Sequence, residues 1–330
     1  KKFRSTGEAR LTSRRKDIDT LKRSQALAIP LILGLAPRSA AGQTKDKVRV
    51  AFPVLDPTAE VAYGVAMGFF DRAGLAIETV PLINGAAIAA GVAGGSIDIG
   101  CGNVLTIESA YKKGIPLTMI APGAASINSA PSNVLLVLKD SPLRTAADLN
   151  GKVIGVSPLH AIGDVATSAW IDKNGGDSST VKYIEVPFVQ AEAVLAQHRV
   201  DAAFCSEPFI EQAKATTRIF ANTFSALGEG FLVTGFFAAS PWAQANAPLV
   251  ARFAAVIRTI AAWANANPDR SAEILAALAK IDVDIVKSSV RSRFATTLTP
   301  AQLQPTIDAS AKYKLLDASF PAQDLIFQPK

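Results

Sequence analysis

The chain has 330 residues, 49% hydrophobic and 19% charged, with 22 Gly, 19 Pro, 2 Cys and 2 His, which excludes disorder, collagen and a disulfide scaffold and allows one large core or two medium ones. Its formal charge of +6 is concentrated at one end: of 34 basic and 28 acidic residues, ten and three lie in residues 1–41, leaving 24 and 25 for the rest. A near-neutral body lacks the clustered basic face that nucleic-acid binding requires, so no nucleic-acid partner is expected.

The basic stretch runs into an uncharged segment, 24–37, whose apolar centre is the eleven residues 26–36, and Ser39-Ala40-Ala41-Gly42 follows. Spanning a bilayer takes about 20 apolar residues, so this centre is too short. Basic region, short apolar core and small-residue site make a secretory signal, with cleavage predicted after Ala41 and a periplasmic destination. An amphipathic first helix docked on the fold is the alternative. Ser13-Arg14-Arg15-Lys16 fits a twin-arginine signal while Asp17 and Asp19 oppose it, so both export routes stay open. No Cys follows the apolar core, which argues against a lipid anchor, and the missing initiator Met implies a different natural start.

Beyond the signal, alternating patterns predict strands at 48–52, 77–81, 97–100 and 117–121 and helices at 58–73, 86–93 and 104–113. The span 114–138 is free of charge, but Pro116, Pro122 and Pro131 exclude a membrane helix; it reads as two buried strands with a polar crossing between them. A second series begins near Lys139, with strands at 153–156, 181–186, 201–205 and 231–238 and helices at 163–174, 191–197 and 208–215. After Pro241 the strand signal ends, and helices are predicted at 248–267, 269–279, 282–294 and 300–314, with Pro248, Pro268 and Pro300 at their starts. Strands alternating with helices indicate βαβ units, and two such modules suggest two α/β lobes with a cleft beyond the carboxyl ends of their strands.

Several segments then fall in a recognisable order. Gly68-Phe69-Phe70-Asp71-Arg72-Ala73-Gly74-Leu75 ends the first helix, and Gly95-Ser96-Ile97-Asp98-Ile99-Gly100 leads into a strand. Lys139-Asp140-Ser141-Pro142, Asp148-Leu149-Asn150-Gly151-Lys152-Val153-Ile154-Gly155-Val156, Val200-Asp201-Ala202 with Glu207-Pro208, and Trp263-Ala264-Asn265-Ala266-Asn267-Pro268 follow. The ordered set, from about Val48 to at least Lys314, resembles the nitrate, sulfonate and taurine substrate-binding proteins, the NMT1/THI5-like group. The resemblance implies a two-lobed type II periplasmic-binding-protein fold with two crossover strands and a helical C-terminal tail. Lobe one would comprise 48–138 and 236–330, and lobe two 139–235. It also implies a monomer that closes about a hinge and delivers a small solute to the permease of an ABC transporter.

Candidate ligand contacts follow from strand ends and helix starts. In lobe one they are Asp56 and Thr58, which either cap a helix or mark an anion site; Asn84 and Gly85 before the next helix; and Cys101, Gly102 and Asn103, where the resemblance places a ligand-facing loop. Asn128, with Ser129, sits in the polar crossing. In lobe two they are His160, Gly163 and Asp164, with Asp164 also fitting a cap. Many family members carry Gly followed by Ser or Thr at this turn, so His160 and Asp164 here disfavour a simple oxyanion. Glu207 either meets a cationic or amide group or pairs structurally across the hinge. Near the return crossing, Phe231, with Gly230, and Thr234 either line the site or pack the core.

Cys101 and Cys205 read as free, buried thiols, and His160 and His198 have no metal-ligand spacing, so neither a metal nor a cofactor is expected. No nucleophile and base are paired by any motif, which argues against an enzyme. The alternatives are an enzyme on the same fold, similar to thiamine-pyrimidine synthases, and a ligand-dependent sensory protein. The expected ligand is a small organic anion, a sulfonate or carboxylate with an apolar or aromatic body.

Overall fold

The computed structural model describes residues 45–82 and 85–330, so the predicted export signal and Asn84 lie outside the described residues. The chain opens with β1 (Asp46–Phe52), α1 (Glu60–Ala66), α2 (Phe69–Arg72), β2 (Leu75–Pro81), α3 (Gly85–Ala93), β3 (Ile99–Asn103), α4 (Val104–Lys112), β4 (Leu117–Pro122) and the two-residue β5 (Ala124–Ala125). It continues through β6 (Asn133–Leu138), β7 (Val153–Val156), α5 (Ile162–Lys173), β8 (Lys182–Glu185), α6 (Ala191–Ala196), β9 (Ala202–Ser206), α7 (Phe209–Ala213) and β10 (Thr217–Ala221). It closes with β11 (Thr234–Ala239), α8 (Ser240–Ala245), α9 (Ala247–Ala266), α10 (Pro268–Ala279), α11 (Val283–Ser288), β12 (Arg293–Phe294) and α12 (Pro300–Lys312).

These elements build two five-stranded sheets, ordered β2-β1-β3-β11-β4 and β10-β6-β9-β7-β8. In each, one group of strands is parallel and the strands next to the crossings are antiparallel. Helices cover the sheets, so strands such as β4 are buried on both faces and read as apolar runs without alternation. The two-lobed α/β architecture expected from the sequence is present, with crossings at 126–132 and 222–233.

Several details differ from the sequence expectation, among them the helix expected over 282–294, which stops at Ser288. The resemblance places 133–138 in lobe one, but β6 pairs with β9 and β10, so the first crossing precedes Asn133. Its apolar run completes the second sheet, and Lys139 marks only the end of a strand. The strand predicted to stop at Gly100 runs on to Asn103, because β11 pairs with it from Phe237 opposite Gly100 to Thr234 opposite Asn103. The helix predicted over 58–73 is broken by Gly68, whose φ of +67° suits glycine and tips α2 away from α1.

One apolar cluster joins the lobes, including Val104 and Met119 of the first, Ile154 and Phe204 of the second, and Phe231 on the return crossing. A second lies between the first sheet and α1, α9 and α10. Helix α9 is long and apolar enough to cross a bilayer by composition, but its Phe253, Ile257 and Ile260 are buried, and Phe253 stacks on Phe70 at 5.7 Å. The tail is not wholly helical: β12 pairs with β5, and Phe327 N–H donates to Met119 O.

Candidate ligand-binding site

One groove is lined by segments that follow β1, β8 and β9 and by the end of α10. Its walls are Val54 and Leu55 after β1, Val189 after β8, Pro208, Phe209 and Gln212 after β9, and Leu275, Leu278, Ala279, Lys280 and Ile281 at the end of α10, around about 450 Å³. Gln212 and Lys280 are the polar side chains of an otherwise apolar lining, the composition of a site for an organic solute. A second depression, of about 360 Å³ beside α2 and β2, opens on the first lobe alone.

Under the groove, residues 289–292 link α11 to β12. Arg291 donates to Asp56 Oδ1 through Nε (3.0 Å) and Nη2 (2.6 Å), and also to the Tyr63 hydroxyl (2.8 Å). Ser292 N–H donates to Asp56 Oδ2 at 2.5 Å. One residue earlier, Val290 N–H donates to Glu207 Oε1 at 3.2 Å, while Glu211 N–H donates to Oε2 at 3.1 Å. Glu207 is only 3% exposed, and burial pushes its carboxyl up to about 7 against the opposing pull of the two N–H donors.

The structure places the sequence candidates as follows. Asp56 is buried and neutralised by Arg291, and Thr58 donates to Pro53 O, so neither caps a helix. Gly85 begins α3. Cys101 and Gly102 are buried within β3 and not in a loop; the extended pairing with β11 turns Cys101 into the first-lobe core, where burial raises its pKa. Asn103 ends that strand and caps α4, accepting from Leu105 N–H at 3.0 Å. Asn128 ties the crossings together: its N–H donates to Glu229, its amide to Gly228 O, and it accepts from Asn222.

His160 is exposed, with φ of +57°, in the turn before α5. Asp164 accepts from the N–H groups of His160 (2.7 Å), Ala161 and Val165, capping α5, while burial raises its pKa. Gly163 lets α5 approach Phe204, since a Cβ there would lie 2.8 Å from the ring. Phe231 is buried edge-on against Phe224, and Thr234 joins Pro57 O to Ala124 N–H.

None of these candidates lines the groove, although Asp56 and Glu207 each precede or follow a lining residue. The missed residues are Val189, Phe209, Leu278 and Lys280. One signal was available: Leu278 falls outside the buried stripe of α10, formed by Ala272, Leu275 and Ala276, and is 40% exposed. Among the described residues no group of three His, Cys, Asp or Glu is placed to hold a metal.

The sequence profile described as NMT1/THI5 like matches residues 58–271. The chain belongs to this family. A Brucella abortus (strain 2308) protein named only as a binding protein is 27% identical over 271 residues, covering 79% of this chain and 80% of its own. The periplasmic aliphatic sulphonate-binding protein SsuA of Escherichia coli superposes with a TM-score of 0.71 at 18% identity, over 86% of this chain and 93% of that one. The periplasmic nitrate-binding protein NrtA of Synechocystis PCC 6803 does so at 0.70 and 14%, over 85% and 84%. A desulfurization enzyme, DSZB, shares the fold at 0.63 and 15%, over 87% and 97%. At these identities the structural likeness establishes the fold, that of two-lobed periplasmic binding proteins.

Proposed function

We propose that the protein is the extracytoplasmic solute-binding component of an ABC importer and that it holds a small organic anion, a sulfonate or carboxylate with an apolar body, in the groove between its lobes. The observation that carries this reading is the groove itself: segments that follow β1, β8 and β9 contribute to it, most of its side chains are apolar, and Lys280 supplies a cation. Closing the lobes about the crossings at 126–132 and 222–233 buries the solute, and the permease receives it from the closed form. The basic, apolar and small-residue segments of 1–41 support export.

An enzymatic role draws on the fold shared with DSZB. Against it, both thiols are buried, with Cys101 raised and Cys205 pushed up to about 12, so neither is a poised thiolate. A thermal-shift screen with nitrate, taurine, alkane sulfonates, aromatic carboxylates and pyrimidines tests the proposal. A solute at a hundred times its Kd stabilises the fold by about 2.7 kcal/mol, a rise of several degrees. A shift by one class, with the solute recovered unchanged, supports binding; no shift, or a chemically altered solute, overturns it.

A further inference from the structure

Residues 289–292 form a strap anchored in the first lobe, through Arg291 and Ser292 on Asp56 and through the pairing of β12 with β5. From it Val290 N–H reaches across to Glu207, at the end of β9 in the second lobe. The Glu207 carboxyl therefore takes one N–H from each lobe and is almost wholly buried.

The charges around it do not neutralise an anion. Glu211 on α7 and Asp56 from the loop after β1 both oppose ionisation. Arg291 is committed to Asp56 and Tyr63. Helix α11, packed against α7, brings Asp284 and Lys287, and Lys287 pairs with Glu273. With Arg291 held by Asp56 and Lys214 by Glu211, Glu207 is left without a cation of its own, and a buried carboxylate so placed is poorly compensated, whereas the protonated acid still has acceptor capacity for the two N–H groups.

We propose that Glu207 is a proton-operated latch between the lobes: carrying its proton it lets them stay shut, and ionised it drives them apart. The inference rests on the lobe closure proposed above, but not on which solute is held. Its direction follows from linkage. With the Val290–Glu207 contact made, burial holds the carboxyl at about 7. Opening hydrates it and returns it toward the ordinary value of about 4.3, so the shut form binds the proton more tightly. Closure is therefore favoured at low pH and weakens as pH rises through about 7.

Small-angle scattering of the purified protein without solute, between about pH 5.5 and pH 8.5, reads the latch directly. The expected result is a radius of gyration that grows with pH, with a midpoint near 7, in the wild type and in Glu60→Gln, whose buried carboxyl lies inside the first lobe. Glu207→Gln, which mimics the protonated acid, stays compact throughout. Carbon-13 carboxyl titration of the wild type, which needs no variant to fold, gives a Glu207 midpoint near 7. A constant radius, a transition that survives Glu207→Gln or vanishes in Glu60→Gln, or a Glu207 midpoint in the ordinary carboxylate range overturns the proposal. Because no solute is present, failure of the latch is separable from failure of the binding role.

Discussion

Asp56 and Glu207 occupy matching places in the two lobes, each just past a strand end that faces the groove and each touched by the same strap, yet they are built oppositely. Asp56 has a permanent counter-charge in Arg291 and a second donor in Ser292 N–H. Glu207 has two backbone donors and no cation. The comparison teaches that the strap is locked to the first lobe by charge and tied to the second through the single Val290–Glu207 hydrogen bond, so the second contact is the weaker of the two.

The largest expected effect comes from removing the lock. Arg291→Met leaves Asp56 buried without its counter-charge and costs about 3–5 kcal/mol in urea unfolding, since breaking a buried pair on one side strands the other charge. Asp56→Asn together with Arg291→Met recovers most of that loss; a double variant as unstable as the single one would break the contrast drawn here.

Other buried carboxyls sharpen it. Glu60 is fully buried, neither oxygen has a partner, and desolvation raises its pKa well above the ordinary range. Burial also pushes Glu108 up to about 8. Thr306 Oγ1 lies 2.6 Å from Glu108 Oε1 and 2.7 Å from Leu303 O, and one hydroxyl proton serves only one of them, so a protonated Glu108 completes the set. Both groups hold protons in the fold that the unfolded chain has lost. Stability therefore falls as pH climbs from about 4.3, the unfolded value, through their folded values. Glu60→Gln with Glu108→Gln flattens that fall and adds on the order of 1–3 kcal/mol at pH 8, measured by denaturant titration at several pH values. An unchanged slope would show that other groups set the pH dependence.

Smaller still, Asn103→Ala removes the cap of α4 and costs about 1 kcal/mol without altering solute affinity. A loss of affinity larger than the loss of stability would return Asn103 to the binding site.

Much of the fold was legible because local patterns decide it. The alternation of strand and helix, the Pro-marked helix starts and the ordered family segments placed most elements, though not β5, β10, α8 or β12. What escaped depends on pairing between distant residues. The extension of β3 to Asn103 requires β11, more than a hundred residues on, and it converts Cys101 from a presumed loop residue into core. Asp56 and Arg291 are 235 positions apart, so the acid looked like a cap or an anion site until its partner was seen. The groove was hidden for the same reason: Leu55, Val189, Phe209 and Leu278 come from four separate segments, and each alone reads as an ordinary apolar residue.

The central claim, that this groove takes up a small solute and gives it back unchanged, is met most directly by calorimetric titration of the protein and of Phe209→Ala with the solute class that raises the melting temperature. The account predicts one site per chain, a negative heat-capacity change from apolar burial, at least about tenfold weaker binding in Phe209→Ala, and the solute recovered intact. Equal affinity in the two proteins would place the solute elsewhere, and a chemically altered solute would contradict the binding role outright.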